Sequence, residues 1–170
     1  MSLFGKMFGE KEGAEERSYP LDAGLVAFFT QDHRNCDLDW TDLESSLESG
    51  EKDLIIAKWK AFDGGLRRHF DMEEKEFFPQ FEQVTGMTNG GPTFVMKMEH
   101  TQMRGVLDQM QVLVDDGNYE EVRNQGDTLL MLIQQHNVKE EGMLYPMSEQ
   151  HLSGKWDQIK AKLETYIKPE

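Results

Sequence analysis

Residues 69–79 read HFDMEEKEFFP, and residues 136–146 read HNVKEEGMLYP. The two stretches are related by an offset of 67 residues, and each places a glutamate four residues after a histidine. In a helix this spacing puts the imidazole and the carboxylate on one face, one turn apart. The duplicated pattern therefore predicts two equivalent helices with the same pair of polar side chains. The two pairs are His69 with Glu73 and His136 with Glu140.

Two further histidines obey the same offset, because His33 falls on His100, and Gly50 likewise falls on Gly117. Apolar positions also coincide. The matched apolar pairs are Phe29 with Met96, Trp40 with Leu107, Leu43 with Met110, Leu47 with Val114, Ile55 with Val122, Phe62 with Leu129, and Leu66 with Ile133. A duplicated helix pair that directs two histidines and one carboxylate from each half toward a common centre is typical of a two-metal site in a four-helix bundle.

The spacing of apolar residues predicts two helices in each half. Between residues 26 and 47 the apolar or special positions alternate at intervals of three and four, which only a helix gathers into one stripe. Gly50 ends this helix, and the second is predicted to run to Pro79 or one turn beyond. The third and fourth helices repeat this plan, and the fourth is expected to end near Pro146. Residues 86–92, GMTNGGP, form the clearest linker and divide the halves.

These elements predict an all-α fold, an antiparallel up-down-up-down four-helix bundle with a short C-terminal fifth helix. Apolar residues between Leu152 and Tyr166 recur at the helical period and predict the fifth helix. We expect three segments: a flexible N-terminal arm at residues 1–19, the bundle at residues 20–150 and the C-terminal amphipathic helix at residues 151–170.

Composition argues against several function classes. Lys and Arg number 18 against 32 Asp and Glu, and the net charge of −14 disfavours binding to nucleic acid or to anionic membranes. No apolar run is long enough to span a membrane and no secretory signal is recognisable, so we expect a cytoplasmic protein. The single cysteine, Cys36, excludes an intrachain disulfide and is compatible with a reducing compartment. The acidic exterior is consistent with either a monomer or a weak homodimer.

The carboxylates on the core stripes require a compensating charge. Burying an ionised carboxylate is costly without a cation, and no Lys or Arg shares the stripes of Glu73 and Glu140. A pair of metal ions supplies this charge. Two histidines for each ion, two shared carboxylates and a solvent-derived oxo or hydroxo bridge give each ion about five ligands, with a position open for a small molecule. Nitrogen and oxygen ligands without thiolate favour iron, with manganese as the nearest competitor.

The four histidines, the two HxxxE motifs and the tails EFFP and MLYP resemble the hemerythrin or HHE cation-binding domains over roughly residues 20–150. The resemblance implies a set of six metal ligands. These are His33 and His69 on one iron ion, His100 and His136 on the other, and Glu73 and Glu140 as bridges across both. The adjacent Glu74 and Glu141 leave the choice of carboxylate open, since some family members use the residue five positions after the histidine. We favour Glu73 and Glu140 because they lie at the i+4 position.

One departure from the oxygen-carrying members of that family bears on function. Those proteins have a fifth histidine one turn before the position of His100, where this chain has Met96. The resemblance then implies a more open metal pair that admits oxygen, nitric oxide or peroxide. Two function classes follow: a small-ligand protein that carries or senses oxygen or nitric oxide, and a redox or iron-handling protein. The second class includes peroxide reduction, ferrous oxidation and iron donation for iron–sulfur cluster repair, and a metal-free interaction bundle is a third alternative.

Three residues near the stripes have simpler interpretations. Cys36 lies one turn from His33 and is expected to be a small buried hydrophobe rather than a redox partner of the metal. Asp37 follows His33 by four residues, but its repeat mate is Arg104, which favours a solvated or supporting role. His151 has no repeat partner and lies off the stripes.

Overall fold

The computed structural model describes residues 16–168, and within this range the chain consists of helices joined by short turns. Its α-helices are α1 (Leu25–Ser49), α2 (Lys52–Met72), α3 (Phe78–Thr85), α4 (Pro92–Asp115), α5 (Tyr119–Lys139), α6 (Tyr145–Leu152) and α7 (Trp156–Ile167). No strand occurs in this part of the chain, which confirms the all-α prediction. None of the described helices is both long and apolar enough to cross a membrane.

The four long helices form the predicted bundle. Helix α1 packs along α2 and α4 packs along α5, and the two halves meet through contacts of α2 with α4 and of α1 with α5. Helix α1 ends at Gly50, and both Gly50 (φ 67°) and Gly117 (φ 71°) adopt the left-handed conformation that favours glycine. Buried apolar residues fill two clusters. One surrounds Trp40 and Phe62 between the long helices, and the other joins α3, α6 and α7 around Phe77.

Both HxxxE stretches leave the regular α-helix just after their histidine. Glu73–Phe77 and Glu140–Leu144 form π-helical turns, and α3 and α6 continue beyond them. The helical chain therefore runs past Pro79 and Pro146, further than the predicted endings. Each proline lies in the first turn of the new helix, where its missing N–H costs nothing because that turn has no intrahelical acceptor for it.

The two ends of the described chain pack on the first half of the bundle. Arg17 forms an ion pair with Asp39 of α1, at 2.7 Å between Nη2 and Oδ1. The predicted flexible arm falls mainly on residues 1–15, which lie outside the described residues. The predicted C-terminal helix is α7, which buries Ile159 and Leu163.

One close helix contact depends on a glycine. A Cβ atom added to Gly126 of α5 would lie 1.8 Å from the ring of Trp40 on α1. The repeat mate of Gly126 is Trp59, and the repeat mate of Trp40 is Leu107. The two halves have therefore exchanged a large and a small residue between facing helices.

Candidate metal centre

The six side chains predicted as ligands lie together inside the bundle, and none of them exposes more than 3% of its surface. Each long helix contributes one histidine and each π turn contributes one glutamate. Their donor atoms form two sets, within each of which the atoms lie no more than 4.8 Å apart. One set is Glu73, His100, His136 and Glu140, and the other is His33, His69 and Glu140. Because Glu140 belongs to both sets, they form one continuous cluster.

The carboxylate of Glu140 spans the two halves of the chain. Its Oε2 lies 3.1 Å from Nε2 of His33, and its Oε1 lies 3.0 Å from Nε2 of His136. Each oxygen therefore faces a histidine from a different half. This is the arrangement of a carboxylate that bridges two ions.

Glu73 occupies the equivalent position on the opposite side. Its Oε2 lies 3.1 Å from Nε2 of His100 and 3.6 Å from Nε2 of His69, so this carboxylate also reaches both halves. The rings within each histidine pair are close, with centroids 4.6 Å apart for His33 and His69, and 4.7 Å apart for His100 and His136.

Several inward-facing donor atoms have no hydrogen-bond partner among residues 16–168. They are Nε2 of His69, Oε2 of Glu73 and Oε1 of Glu140. An unsatisfied buried polar atom costs about 1–3 kcal/mol, so such a cluster needs a partner of another kind. Adjacent ligands at right angles on an ion with bonds of roughly 2.1 Å are about 3.0 Å apart. The separations at Glu140 and at Glu73 match this spacing, and the donor set therefore fits metal ions.

The outer nitrogen of each histidine is held by a second carboxylate. The four Nδ1 contacts are His33 with Glu141 at 2.7 Å, His69 with Asp32 at 2.9 Å, His100 with Glu74 at 2.7 Å and His136 with Glu99 at 2.7 Å. An imidazole that donates its Nδ1–H to a carboxylate keeps the lone pair on Nε2 for a metal and has a fixed ring orientation. All four histidines therefore point the correct nitrogen inward.

Sequence reasoning missed Asp32 and Glu99, although a signal was available. Each immediately precedes a histidine, and the offset of 67 residues relates one to the other. The ambiguity between adjacent glutamates is also placed in space. Glu74 and Glu141 approach from outside with side chains 25% and 32% exposed, whereas the side chains of Glu73 and Glu140 are fully buried.

Basic side chains contact these outer carboxylates. The pairs are Arg68 with Asp32 at 3.4 Å, Arg104 with Glu74 at 2.7 Å, Lys139 with Glu99, and Arg34 with Glu141 at 4.0 Å. Burial raises the pKa of Asp32, Glu74 and Glu99, but the histidine and the basic partner outweigh it, and the pKa of each carboxyl lies below its ordinary value. The outer carboxylates therefore stay ionised and able to accept from the imidazoles.

Without a metal, protons take the place of cations in the core. Burial lowers the pKa of His33, but hydrogen bonds to Glu140 and Glu141 outweigh it and raise the pKa to about 10. Burial likewise lowers the pKa of His100, and Glu73 and Glu74 raise it to about 9. The negative charge of the two inner carboxylates is strong enough to hold a proton on imidazole well above neutral pH.

Tyr145 is a member of the cluster that sequence reasoning overlooked. Its hydroxyl lies 2.6 Å from Oε1 of Glu73, 2.8 Å from Oε2 of Glu140 and 3.0 Å from Nε2 of His33. The π turn brings Tyr145 inward five residues after Glu140. Burial, followed by the two carboxylate charges, raises the pKa of the phenol well above its ordinary value.

Aromatic rings enclose the rest of the site. Phe70 and Phe78 stack on the ring of His100, with centroids 4.2 and 5.9 Å away. Phe29, one turn before His33, is fully buried, and its ring centroid lies 5.9 Å from that of His69. Met96, at the position of the absent fifth histidine, is also buried. The walls of the site are therefore apolar.

Three residues lie apart from the cluster of donor atoms. Cys36 is buried, and burial raises the pKa of its thiol well above the ordinary value, as expected for a small hydrophobe. Asp37 is exposed, and so is His151, whose Nδ1 donates to the carbonyl of Met147.

The fold and the cluster together define a metal-binding helical bundle. A family model described as the hemerythrin HHE cation-binding domain matches residues 24–148. The chain therefore belongs to the hemerythrin HHE cation-binding family, as its motifs predicted. No curated protein and no solved structure gives a significant match.

Proposed function

We propose that this chain is a non-haem di-iron protein that binds a small ligand, oxygen or nitric oxide, for carriage or sensing. The observation that carries the proposal is that each buried carboxylate, Glu73 and Glu140, lies between histidines of both halves. One ion in either half would leave donor atoms of the other half unpaired inside the core. Two ions satisfy both halves with the same two carboxylates.

The ligand assignment follows the two histidine pairs. His33 and His69 hold the first ion, and His100 and His136 hold the second. Glu73 and Glu140 bridge the ions. The separations of 3.0–3.1 Å between histidine nitrogens and carboxylate oxygens support this assignment because they suit adjacent ligands of one ion.

The choice of iron rests on the donor set. The candidate ligands offer imidazole nitrogen and carboxylate oxygen, and the only cysteine, Cys36, is protonated and is not among them. These donors suit iron and, as the nearest competitor, manganese, while structural zinc sites are usually closed by four ligands with thiolates among them. Iron bound by such ligands supplies the redox chemistry or ligand affinity that oxygen and nitric oxide require.

The protein's own residues tune the site in two ways. Asp32, Glu74, Glu99 and Glu141 fix the ring orientation of the four histidines and increase their basicity. The apolar walls exclude water, which favours a small uncharged ligand over a larger polar substrate. The single cysteine is compatible with a reducing compartment, and we place the protein in the cytoplasm on that basis.

A redox or iron-handling role is the second candidate, and Met96 is the observation that favours it. A thioether at the position of the fifth histidine leaves the second ion with fewer nitrogen ligands, so iron is held less tightly. Such a site suits peroxide reduction, ferrous oxidation or the donation of iron to a damaged cluster.

Addition of oxygen to the anaerobic ferrous protein separates the two candidates. A visible spectrum that develops with oxygen and reverses on its removal supports carriage or sensing. Irreversible oxidation, with catalytic loss of added peroxide or transfer of iron to an acceptor protein lacking its cluster, supports the second candidate. A loaded protein that shows no spectral response, no turnover and no transfer contradicts both.

A further inference from the structure

The hydroxyl of Tyr145 lies among too many acceptors for the one proton that it carries. Its oxygen is within 3.0 Å of Glu73 Oε1, Glu140 Oε2 and His33 Nε2. A phenol donates one hydrogen bond, so it satisfies one of these atoms and leaves its lone pairs facing the others. Once His33 donates its Nδ1–H to Glu141, its Nε2 also presents a lone pair. A cation in the middle of these atoms removes the conflict.

The distances around this hydroxyl also suit a ligand. Adjacent ligands on an ion with bonds of roughly 2.1 Å lie about 3.0 Å apart. The separation from His33 is 3.0 Å, and the separations from the two carboxylate oxygens are 2.8 and 2.6 Å. The phenolic oxygen can therefore occupy the same coordination shell as His33.

The two halves of the site differ at this point. The repeat mate of Tyr145 is Phe78, whose ring stacks on His100 with an interplanar angle of 11°. Phenylalanine has no donor atom, so only the half that contains His33 gains an oxygen. The internal repeat thereby supplies a natural comparison between a phenol and a benzene ring at matched positions.

We propose that Tyr145 binds, through its phenolate oxygen, the ion held by His33 and His69, and that the open position for a small ligand is on the ion held by His100 and His136. Binding breaks the O–H bond of Tyr145, releases the proton to solvent and forms an oxygen–metal bond with the phenolate electron pair. No oxidation state changes. The inference rests on the proposed metal pair and makes its two positions chemically unequal.

Resonance Raman spectroscopy of the full chain loaded with ferric iron tests the inference directly. Excitation in the visible should enhance phenolate ring vibrations, and these should shift when the protein is produced with ring-deuterated tyrosine. Tyr145→Phe should abolish them, whereas Tyr119→Phe, at the other end of the bundle, should leave them unchanged. If the wild-type chain holds two iron ions and shows no tyrosine vibrations, or if Tyr145→Phe retains them, the inference is wrong.

Azide binding to the ferric protein tests the position of the open site. We expect Phe78→Tyr, which introduces a hydroxyl beside His100, to weaken azide binding at least tenfold, and Tyr145→Phe to retain a site for azide. Unchanged azide affinity in Phe78→Tyr contradicts the placement of the open position. Iron content measured on the same samples separates the two levels, because a chain without iron contradicts the proposed function itself.

Discussion

The two halves of the bundle share what a metal pair needs and differ in what surrounds it. Histidines, inner glutamates and outer carboxylates all coincide at the offset of 67 residues. The phenol of Tyr145 has no counterpart beyond the ring of Phe78, and the Trp40–Gly126 contact has exchanged its large and small partners. The comparison teaches that the duplicated chemistry was retained while the packing and the ligand environment diverged.

The outer surfaces of the two halves differ as well. On the first half, α7 and residues 16–19 pack over the bundle, with Tyr166 donating to Glu76 at 2.9 Å. The outer faces of α4 and α5 instead expose Met98, Met131 and Val138, at 59%, 62% and 71%. The repeat therefore presents two chemically different faces around one symmetric core.

The largest expected effect comes from removing a ligand in either half. If the halves are equivalent toward metal, His69→Ala and His136→Ala should each abolish the loading of a full metal pair. Each leaves buried carboxylate charge uncompensated, and we expect a loss of about 3–5 kcal/mol in unfolding free energy. Metal analysis and denaturant unfolding check this. His151→Ala, in an exposed residue, is the matched control, and full metal content in either core variant would show that the ligand set is wrong.

The exchanged tryptophan provides a packing test that does not involve metal. Gly126→Ala places a Cβ atom 1.8 Å from the Trp40 ring, and we expect a loss of about 3 kcal/mol from overpacking. The double variant Trp40→Leu/Gly126→Ala, in which position 40 takes the residue type of its repeat mate, should relieve the clash.

Gly105→Ala on α4 is the control for this comparison, because nothing lies within 4 Å of an added Cβ. It should stabilise the chain by about 0.5–1 kcal/mol through helix propensity. Equal effects of the two alanine substitutions in chemical denaturation would contradict the close approach at Trp40.

The outer carboxylates test whether support of the histidines is also duplicated. Asp32→Asn and Glu99→Gln remove a charged acceptor from His69 and His136, and each should weaken metal affinity about 10–100-fold. Competition with a chromogenic chelator measures this. Asp37→Asn is the control in an exposed residue. An effect in only one half would show that the two relays are not equivalent.

The smallest effect is a pH dependence confined to the metal-free protein. A histidine whose pKa is raised on folding contributes stability that is fully present below its unfolded pKa and lost as the pH rises through its folded pKa. For His33 this window runs from 6.5 to about 10, and for His100 from 6.5 to about 9. The melting temperature of chelator-treated protein should fall across this range. Metal replaces these protons, so an equally steep fall in the loaded protein would contradict the exchange.

The helical fold and the six candidate ligands follow from sequence because the repeat and the helical period act at fixed spacing. The course of the chain after Glu73 and Glu140 could not be predicted in this way, since the π turns shift the register by one residue. That shift brings Tyr145 to the core, and a strict α-helical period does not place it there. The basic partners, such as Arg104, also escaped prediction because they do not obey the offset and approach from neighbouring helices.

Elemental analysis of the purified chain after expression with iron tests the central claim most directly. Two carboxylates shared between two histidine pairs should retain two metal ions in each chain. A content of two iron ions per chain is the predicted result. A well-folded chain that retains no metal ion, or only one, would contradict the account of a metal pair held between the two halves.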